Sequence, residues 1–254
     1  MTSIHRTAAT GFARGAETYV TGRPDYPAAL DAWLAADLAI GPESCVVELG
    51  AGTGKFTARL LSTGASVTAV EPVAEMRNLI KPHPSLQIVS GTAENIPVAD
   101  GSMDAVICAQ AFHWFANGRA LSEMRRVLKR CGRLGLIWNV RDENTPWVAA
   151  VAALLARYQG DAPQYHTGKW RELFPAPGFG PLIERHFPHG HHGTASQVIF
   201  DRVMSTSFMA ALPEDEKAGV MRELEEIVRS TLDLAERENI TFPYTTVACR
   251  LEAV

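Results

Sequence analysis

Apolar residues fall into short continuous runs and longer segments with helical spacing, and the two alternate through the first half of the chain. Residues 45–49 (CVVEL), 66–71 (SVTAVE), 86–90 (LQIVS), 103–109 (MDAVICA) and 132–140 (GRLGLIWNV) read as strands. Between them, residues 53–61, 73–80 and 118–129 set their apolar side chains on one side of a helix, with Leu121, Met124 and Leu128 marking the period in the last. Strands that are apolar almost throughout, joined by helices, predict a parallel sheet covered on both faces with right-handed crossovers. In the second half, residues 146–158 predict a helix opening on Pro146, and the Pro- and Gly-rich stretch 160–181 predicts irregular chain. A strand over 182–188, helices over 195–204 and 213–237, and a strand over 241–253 complete the pattern. The longest helix begins at Pro213 with Glu214, Asp215 and Glu216 in its first turn, where the helix dipole favours acids. With no repeat and no long linker, residues 1–254 read as one domain: a cover segment over 1–40, a core over 41–145, and a lid insertion with the last helices and strands over 146–254.

Composition narrows the function classes. The chain has 254 residues, of which 46% are hydrophobic, enough for a substantial core. With 24 basic and 28 acidic residues the net charge is −4, which offers no electrostatic footprint for nucleic acid. No run approaches the ~20 apolar residues that span a bilayer, and the first residues lack the apolar stretch of a secretory signal. Cys45, Cys108, Cys131 and Cys249 are scattered, as expected of reduced thiols. Together these features place the protein in the cytoplasm, without a membrane partner, as a monomer or homodimer. The run His186-Phe187-Pro188-His189-Gly190-His191-His192 invites a metal reading. On a strand only His189 and His191 of the run's second half would share a face, so a polar strand end and turn is expected there and no metal.

The richest stretch is Glu48-Leu49-Gly50-Ala51-Gly52-Thr53-Gly54-Lys55, which leaves a strand and opens a helix. Glycines let a backbone turn tightly against a ligand, and exposed N–H groups at a helix start suit polar or anionic groups. A P-loop requires Ser or Thr directly after Lys55, but Thr57 lies one place late and the glycine spacing differs. A dinucleotide loop requires glycine where Lys55 stands, and a carboxylate at Glu48 would repel a pyrophosphate. The same carboxylate suits a ligand that carries positive charge. An NAD(P)-binding oxidoreductase and a non-catalytic binding protein remain the alternatives.

The acid-x-Gly-x-Gly-x-Gly run resembles the first motif of the class I S-adenosylmethionine (SAM)-dependent methyltransferases, and further matches follow in order across residues 15–145. The resemblance implies a Rossmann-like, seven-stranded, mostly parallel α/β sheet with helices on both faces and the last strand antiparallel. It implies SAM as cofactor, held by Glu48, Gly50, Ala51, Gly52 and Thr53 in the loop. Glu71, followed by Pro72, would accept both ribose hydroxyls, and Met76 would pack on adenine. Thr92, Ala93 and Glu94 look like the adenine-reading loop, with Glu94 accepting from the exocyclic amine.

Three further segments resemble the small-molecule branch that includes the trans-aconitate methyltransferases: Tyr19 to Pro27, Gln110 to Phe115, and Trp138 to Asp142. By that resemblance Tyr19, Arg23, Gln110, Ala111 and His113 border the methionine end of SAM, and Arg23 pairs with its carboxylate. Tyr26, Trp114, Trp138 and Arg141 are the candidate contacts to a small-molecule acceptor. His113 is the candidate general base, with a hydrogen-bonding wall residue as the alternative role. A carboxylate acceptor would need no base, and Arg141 would then hold the acid. Trp114 and Trp138 read equally as pocket walls or as core, and the alternative for Arg141 is a surface ion pair with Asp142 or Glu143.

Overall fold

A computed structural model describes residues 22–231, 234 and 237–254. Seven strands form one sheet in the order β3-β2-β1-β4-β5-β7-β6: β1 (Cys45–Leu49), β2 (Ser66–Val70), β3 (Leu86–Val89), β4 (Met103–Ala109), β5 (Leu128–Arg141), β6 (Ile183–Gly193) and β7 (Ile240–Glu252). Strands β1 to β5 pair in parallel, and β7 lies antiparallel between β5 and β6. This is the Rossmann-like, mostly parallel sheet with an antiparallel last strand that the sequence predicts.

The helices are α1 (Ala29–Ala36), α2 (Lys55–Ser62), α3 (Ala74–Arg77), α4 (Gly118–Val127), α5 (Pro146–Ala156) and α6 (Glu214–Ser230), joined by several short helical turns. One face of the sheet buries Trp33, Leu34, Phe56, Leu60 and Ile107; the other buries Val106, Phe112, Met124, Leu136 and Trp138. Covering on both faces explains why the central strands are apolar almost throughout. A third cluster joins Val148, Val151, Leu154 and Leu155 of α5 to Val220 and Leu224 of α6. It builds the second half of the chain around β7, whose Phe242 and Tyr244 belong to the same cluster.

Several boundaries differ from the pattern. Helix α3 is a single turn, Ala74–Arg77, where residues 73–80 were expected to be helical. Pro82 and Pro84 follow closely, and a residue before proline avoids helical geometry. Ile80 instead turns inward against Ala51 and Ala69. Strand β5 begins at Leu128 rather than 132, because Leu128 pairs with Met103 before the register shifts. Strand β6 runs on to Gly193, so the histidine run is strand rather than turn. There His189 Nε2 donates to the Asp25 carbonyl (2.6 Å), His186 Nε2 donates to Glu184 Oε1 (2.5 Å) and His192 Nδ1 bonds Thr241 Oγ1 (2.8 Å). The helix expected over 195–204 is a π-helical stretch, Ser196–Asp201, running into one α-turn, Arg202–Met204. Helix α6 stops at Ser230, where Thr231 turns extended. The irregular stretch holds two 3-10 turns, Tyr165–Thr167 and Lys169–Leu173. All four cysteines are free. Among the described residues no helix is long and apolar enough to cross a membrane.

Candidate active site

The carboxyl ends of the parallel strands carry the loops that build the site, as open α/β sheets require. After β1 the chain doubles over the end of β2: the Gly50 and Ala51 N–H groups both donate to the Val70 carbonyl, at 2.9 and 3.2 Å. Gly50 has φ +68, and a Cβ there would lie 2.7 Å from the Ala111 Cβ. Glycine is therefore required both for the turn and for the close approach of the loop after β4. Met76 lies against Gly52, its methyl 3.5 Å from where a Cβ would stand.

Two carboxylates meet under this loop. Glu71 is anchored by backbone donors, Gly52 N–H to Oε2 at 2.8 Å and Val73 N–H to Oε1 at 2.9 Å. Each carboxylate oxygen has two lone pairs, so both retain accepting capacity for a vicinal diol. Burial raises the Glu71 pKa, opposed by these donors and by the Arg77 charge. Glu48 is 1% exposed and accepts from Thr57 Oγ1 at 2.5 Å. Burial pushes its pKa up to about 8, offset in part by Thr57 and reinforced by the Glu71 charge. Among the described residues neither carboxylate has an ion-pair partner within 4.0 Å. A buried, unpaired acid is unfavourable on its own. A ligand with a cation near Glu48 and a diol near Glu71 relieves that cost, so the residues present fit an adenosyl amino acid.

Thr53 and Pro72, each next in sequence to an anchored residue of this arrangement, are half-buried. Ala93 is buried in the loop after β3, where Thr92 and Asn95 form an isolated bridge. Glu94 Oε1 accepts from Asn117 Nδ2 at 2.9 Å, and Asn117 Oδ1 caps α4 by accepting from Ala120 N–H at 2.9 Å. The loop after β3 is thereby tied to the start of α4, an order that the Asn-Gly step before the helical period could have signalled.

Beyond the end of β4 lies a cavity of about 370 Å³ bordered by Arg23, Gln110, His113, Trp114, Trp138 and Arg141. Gln110 has φ +57, a left-handed conformation costly for a residue with a Cβ, and it lies at the meeting of this cavity and a smaller one beside Arg23 and Lys55. Trp138 Nε1 donates to His113 Nδ1 at 3.1 Å. An indole N–H only donates, so Nδ1 holds the lone pair and neutral His113 carries its proton on Nε2. Burial, with the Arg23 and His166 charges, lowers the His113 pKa to about 3. Trp138 serves both readings given for it: it is buried against Trp170, 4.5 Å between ring centroids, and its edge borders the cavity.

Arg141 makes no surface ion pair. Among the described residues no hydrogen bond or salt bridge holds its guanidinium, and burial together with the nearby Arg202 charge lowers its pKa to about 10. Arg202 borders the same cavity; its Nε donates to Tyr244 Oη at 3.0 Å and its Nη1 to Thr206 Oγ1 at 3.2 Å. Sequence reasoning missed Arg202, because a π-helical turn rotates it away from the face that a regular helix predicts.

The Tyr26 ring is buried and meets Phe56 edge-on at 4.8 Å, and the residue borders the small cavity of about 30 Å³ that Arg23, Gln110 and Arg202 also line. Tyr19 lies outside the described residues. Arg23 does border the cavity, with Nη2 donating to the Ser205 carbonyl at 3.2 Å, and Lys55 Nζ donates to the Arg23 carbonyl.

A glycine cradle over two buried acids, at the carboxyl edge of a sheet of this order, defines a class I methyltransferase framework. Comparison with known proteins agrees: the family model for the methyltransferase domain matches residues 47–136. An uncharacterized methyltransferase-like protein of Schizosaccharomyces pombe is 41% identical over 91% of this chain and 90% of its own length. An uncharacterized methyltransferase of Mycobacterium tuberculosis is 35% identical over 98% of both chains. The solved structure of a putative methyltransferase from an antibiotic biosynthesis pathway of Anabaena variabilis superposes with a TM-score of 0.61 at 21% identity, covering 90% of this chain and 98% of that one. The chain belongs to the methyltransferase family and is a methyltransferase.

Proposed function

We propose that this methyltransferase uses SAM to methylate the carboxylate of a small organic acid. The observation that carries the reading is the contrast between two parts of the site. Glu48 and Glu71 are buried acids under the glycine loop, and the cavity beyond β4 presents Arg23, Arg141 and Arg202, with Glu143 as the one acidic side chain among the described residues that border it.

In this reading Glu48 faces the positive end of the cofactor, Glu71 takes the ribose hydroxyls, and Met76 and Ala93 flank adenine. Glu94, already held by Asn117, keeps its second oxygen for the adenine amine. Arg23 takes the cofactor's carboxylate. When bound, SAM supplies a methyl carbon activated by the sulfonium charge, and the acceptor oxygen forms the new C–O bond as the C–S electron pair returns to sulfur.

His113 is then a fixed hydrogen-bond donor rather than the base. Its Nδ1 is engaged by Trp138, and its Nε2–H is free to orient an acceptor oxygen. A carboxylate arrives already deprotonated and needs nothing more than placement, which by itself supplies a large part of the rate in a displacement. An acceptor phenol or ammonium would need a base where this site holds a donor. Trp114 and Trp138 wall the acceptor, in keeping with the small-molecule branch indicated by the segments around Arg23, His113 and Trp138.

Thermal shift with SAM, S-adenosylhomocysteine and NAD tests the cofactor. SAM and S-adenosylhomocysteine should stabilise the protein and NAD should not; stabilisation by NAD alone would overturn the reading.

A further inference from the structure

Helix α5 supplies part of the wall of the cavity that the three arginines border. Helix α5 has the sequence PWVAAVAALLA and is apolar all round. Val148, Val151, Leu154 and Leu155 face the core, while Ala149, Ala152, Ala153 and Ala156 border the cavity. Their spacing of i, i+3, i+4, i+7 makes one continuous stripe. Phe208 adds an aromatic face to the same cavity. A helix with apolar residues on both faces should be covered on both.

Arg141 and Arg202 border the same cavity close enough to repel, and Arg202 also borders the small cavity with Gln110 after β4. Tyr244 and Thr206 fix the Arg202 guanidinium, whereas that of Arg141 has no hydrogen-bond partner among the described residues. Glu143 offsets this repulsion only in part, and an anion held between the two arginines would relieve it further. Arg23 is committed to the cofactor in the reading above, which leaves Arg141 and Arg202 for the acceptor. A second carboxylate lying along α5 would face its alanines rather than an arginine.

We infer that the acceptor is an amphipathic monocarboxylic acid, its head group held by Arg141 and Arg202 and its hydrocarbon tail lying along the alanine stripe of α5. This specificity rests on the carboxylate-methylation reading, which it deepens by naming the acceptor class. The small side chains of the stripe make room for the tail, and each buried methylene adds affinity.

The test is a calorimetric series of straight-chain acids of four, six, eight and ten carbons, with matching α,ω-dicarboxylates, titrated into protein loaded with S-adenosylhomocysteine. Each added methylene should tighten binding about fourfold, hence about 16-fold per two-carbon step, until the cavity is full. Dicarboxylates should bind at least about tenfold more weakly than monocarboxylates of equal length, the cost of desolvating an unpaired charge. Arg141→Gln should weaken every acid. Ala152→Leu should shift the optimum to shorter chains and spare the four-carbon acid, an outcome that a misfolded variant cannot mimic. Affinity independent of chain length, or higher for dicarboxylates, overturns the inference. Parallel incubations with SAM separate the two levels: methyl esters formed without a chain-length preference leave the carboxylate reading standing alone. Chain-length-dependent binding without ester formation leaves the site standing and removes the carboxylate reading.

Discussion

Glu48 should make cofactor binding depend on pH in a way that counts protons. In the free protein its pKa lies at about 8, because burial disfavours the anion and Glu71 adds a second negative charge. A cationic ligand requires the anion, so binding at lower pH must first remove a proton. At pH 7 the protonated form outnumbers the anion about tenfold, a penalty of about 1.4 kcal/mol; at pH 6 it is about 2.7 kcal/mol. The dissociation constant for SAM should therefore fall about ninefold from pH 6 to 7 and about fivefold from pH 7 to 8, and level off above that. Calorimetry in buffers of different ionisation enthalpy should find close to one proton released per SAM at pH 7, about 0.9 by the same arithmetic. Glu48→Gln should bind weakly and without pH dependence. The sign for stability is opposite. A carboxyl whose folded pKa exceeds its unfolded value of about 4.5 keeps its proton in the folded state, so the free protein loses stability as pH rises from there to about 8. Glu48→Gln should thus raise the Tm of the cofactor-free protein at pH 8.5 while impairing binding. A SAM affinity that is constant from pH 6 to 8, with no proton released, refutes the reasoning.

Other substitutions separate the parts of the site. Glu71→Ala removes the acceptor for the ribose hydroxyls and should weaken SAM binding by about 10- to 100-fold in calorimetry, the worth of charge-assisted hydrogen bonds. Gly50→Ala forces a Cβ to 2.7 Å from that of Ala111 at positive φ. It should cost at least about 2 kcal/mol, read as a Tm lowered by about 4–8 °C, and abolish SAM binding. Trp138→Phe keeps the ring packing but removes the donor to His113 Nδ1. Nitrogen NMR of the imidazole should show the single tautomer replaced by a mixture, and turnover should drop about 3- to 10-fold, the worth of one hydrogen bond.

The sheet was legible in the sequence because its central strands are buried on both faces, and runs such as CVVEL and MDAVICA admit few other readings. The ends were less legible. Pro82 and Pro84 cut α3 short, the register shift at Met103 lengthened β5, and β7 recruited the histidine run into β6 through long-range pairing that no local pattern encodes. The cradle of Glu48, Gly50 and Glu71 could be read because its chemistry is contiguous with strand ends. The cavity beyond β4 could be read only in part. His113 follows β4, and Trp138 and Arg141 lie at the end of β5, so position found them, whereas Arg202 follows a π-helical stretch and the α5 alanines reach the cavity through tertiary placement. The tautomer of His113 depends on a contact with Trp138, 25 residues away, and only the fold reveals it.

Incubation of the protein with SAM carrying an isotope-labelled methyl group, together with a metabolite extract, bears most directly on carboxylate methylation without a base. Mass spectrometry should find the label in methyl esters that mild alkali cleaves, formed one for one with S-adenosylhomocysteine and lost in Arg141→Gln. Label that survives alkali, on nitrogen or carbon, would contradict it.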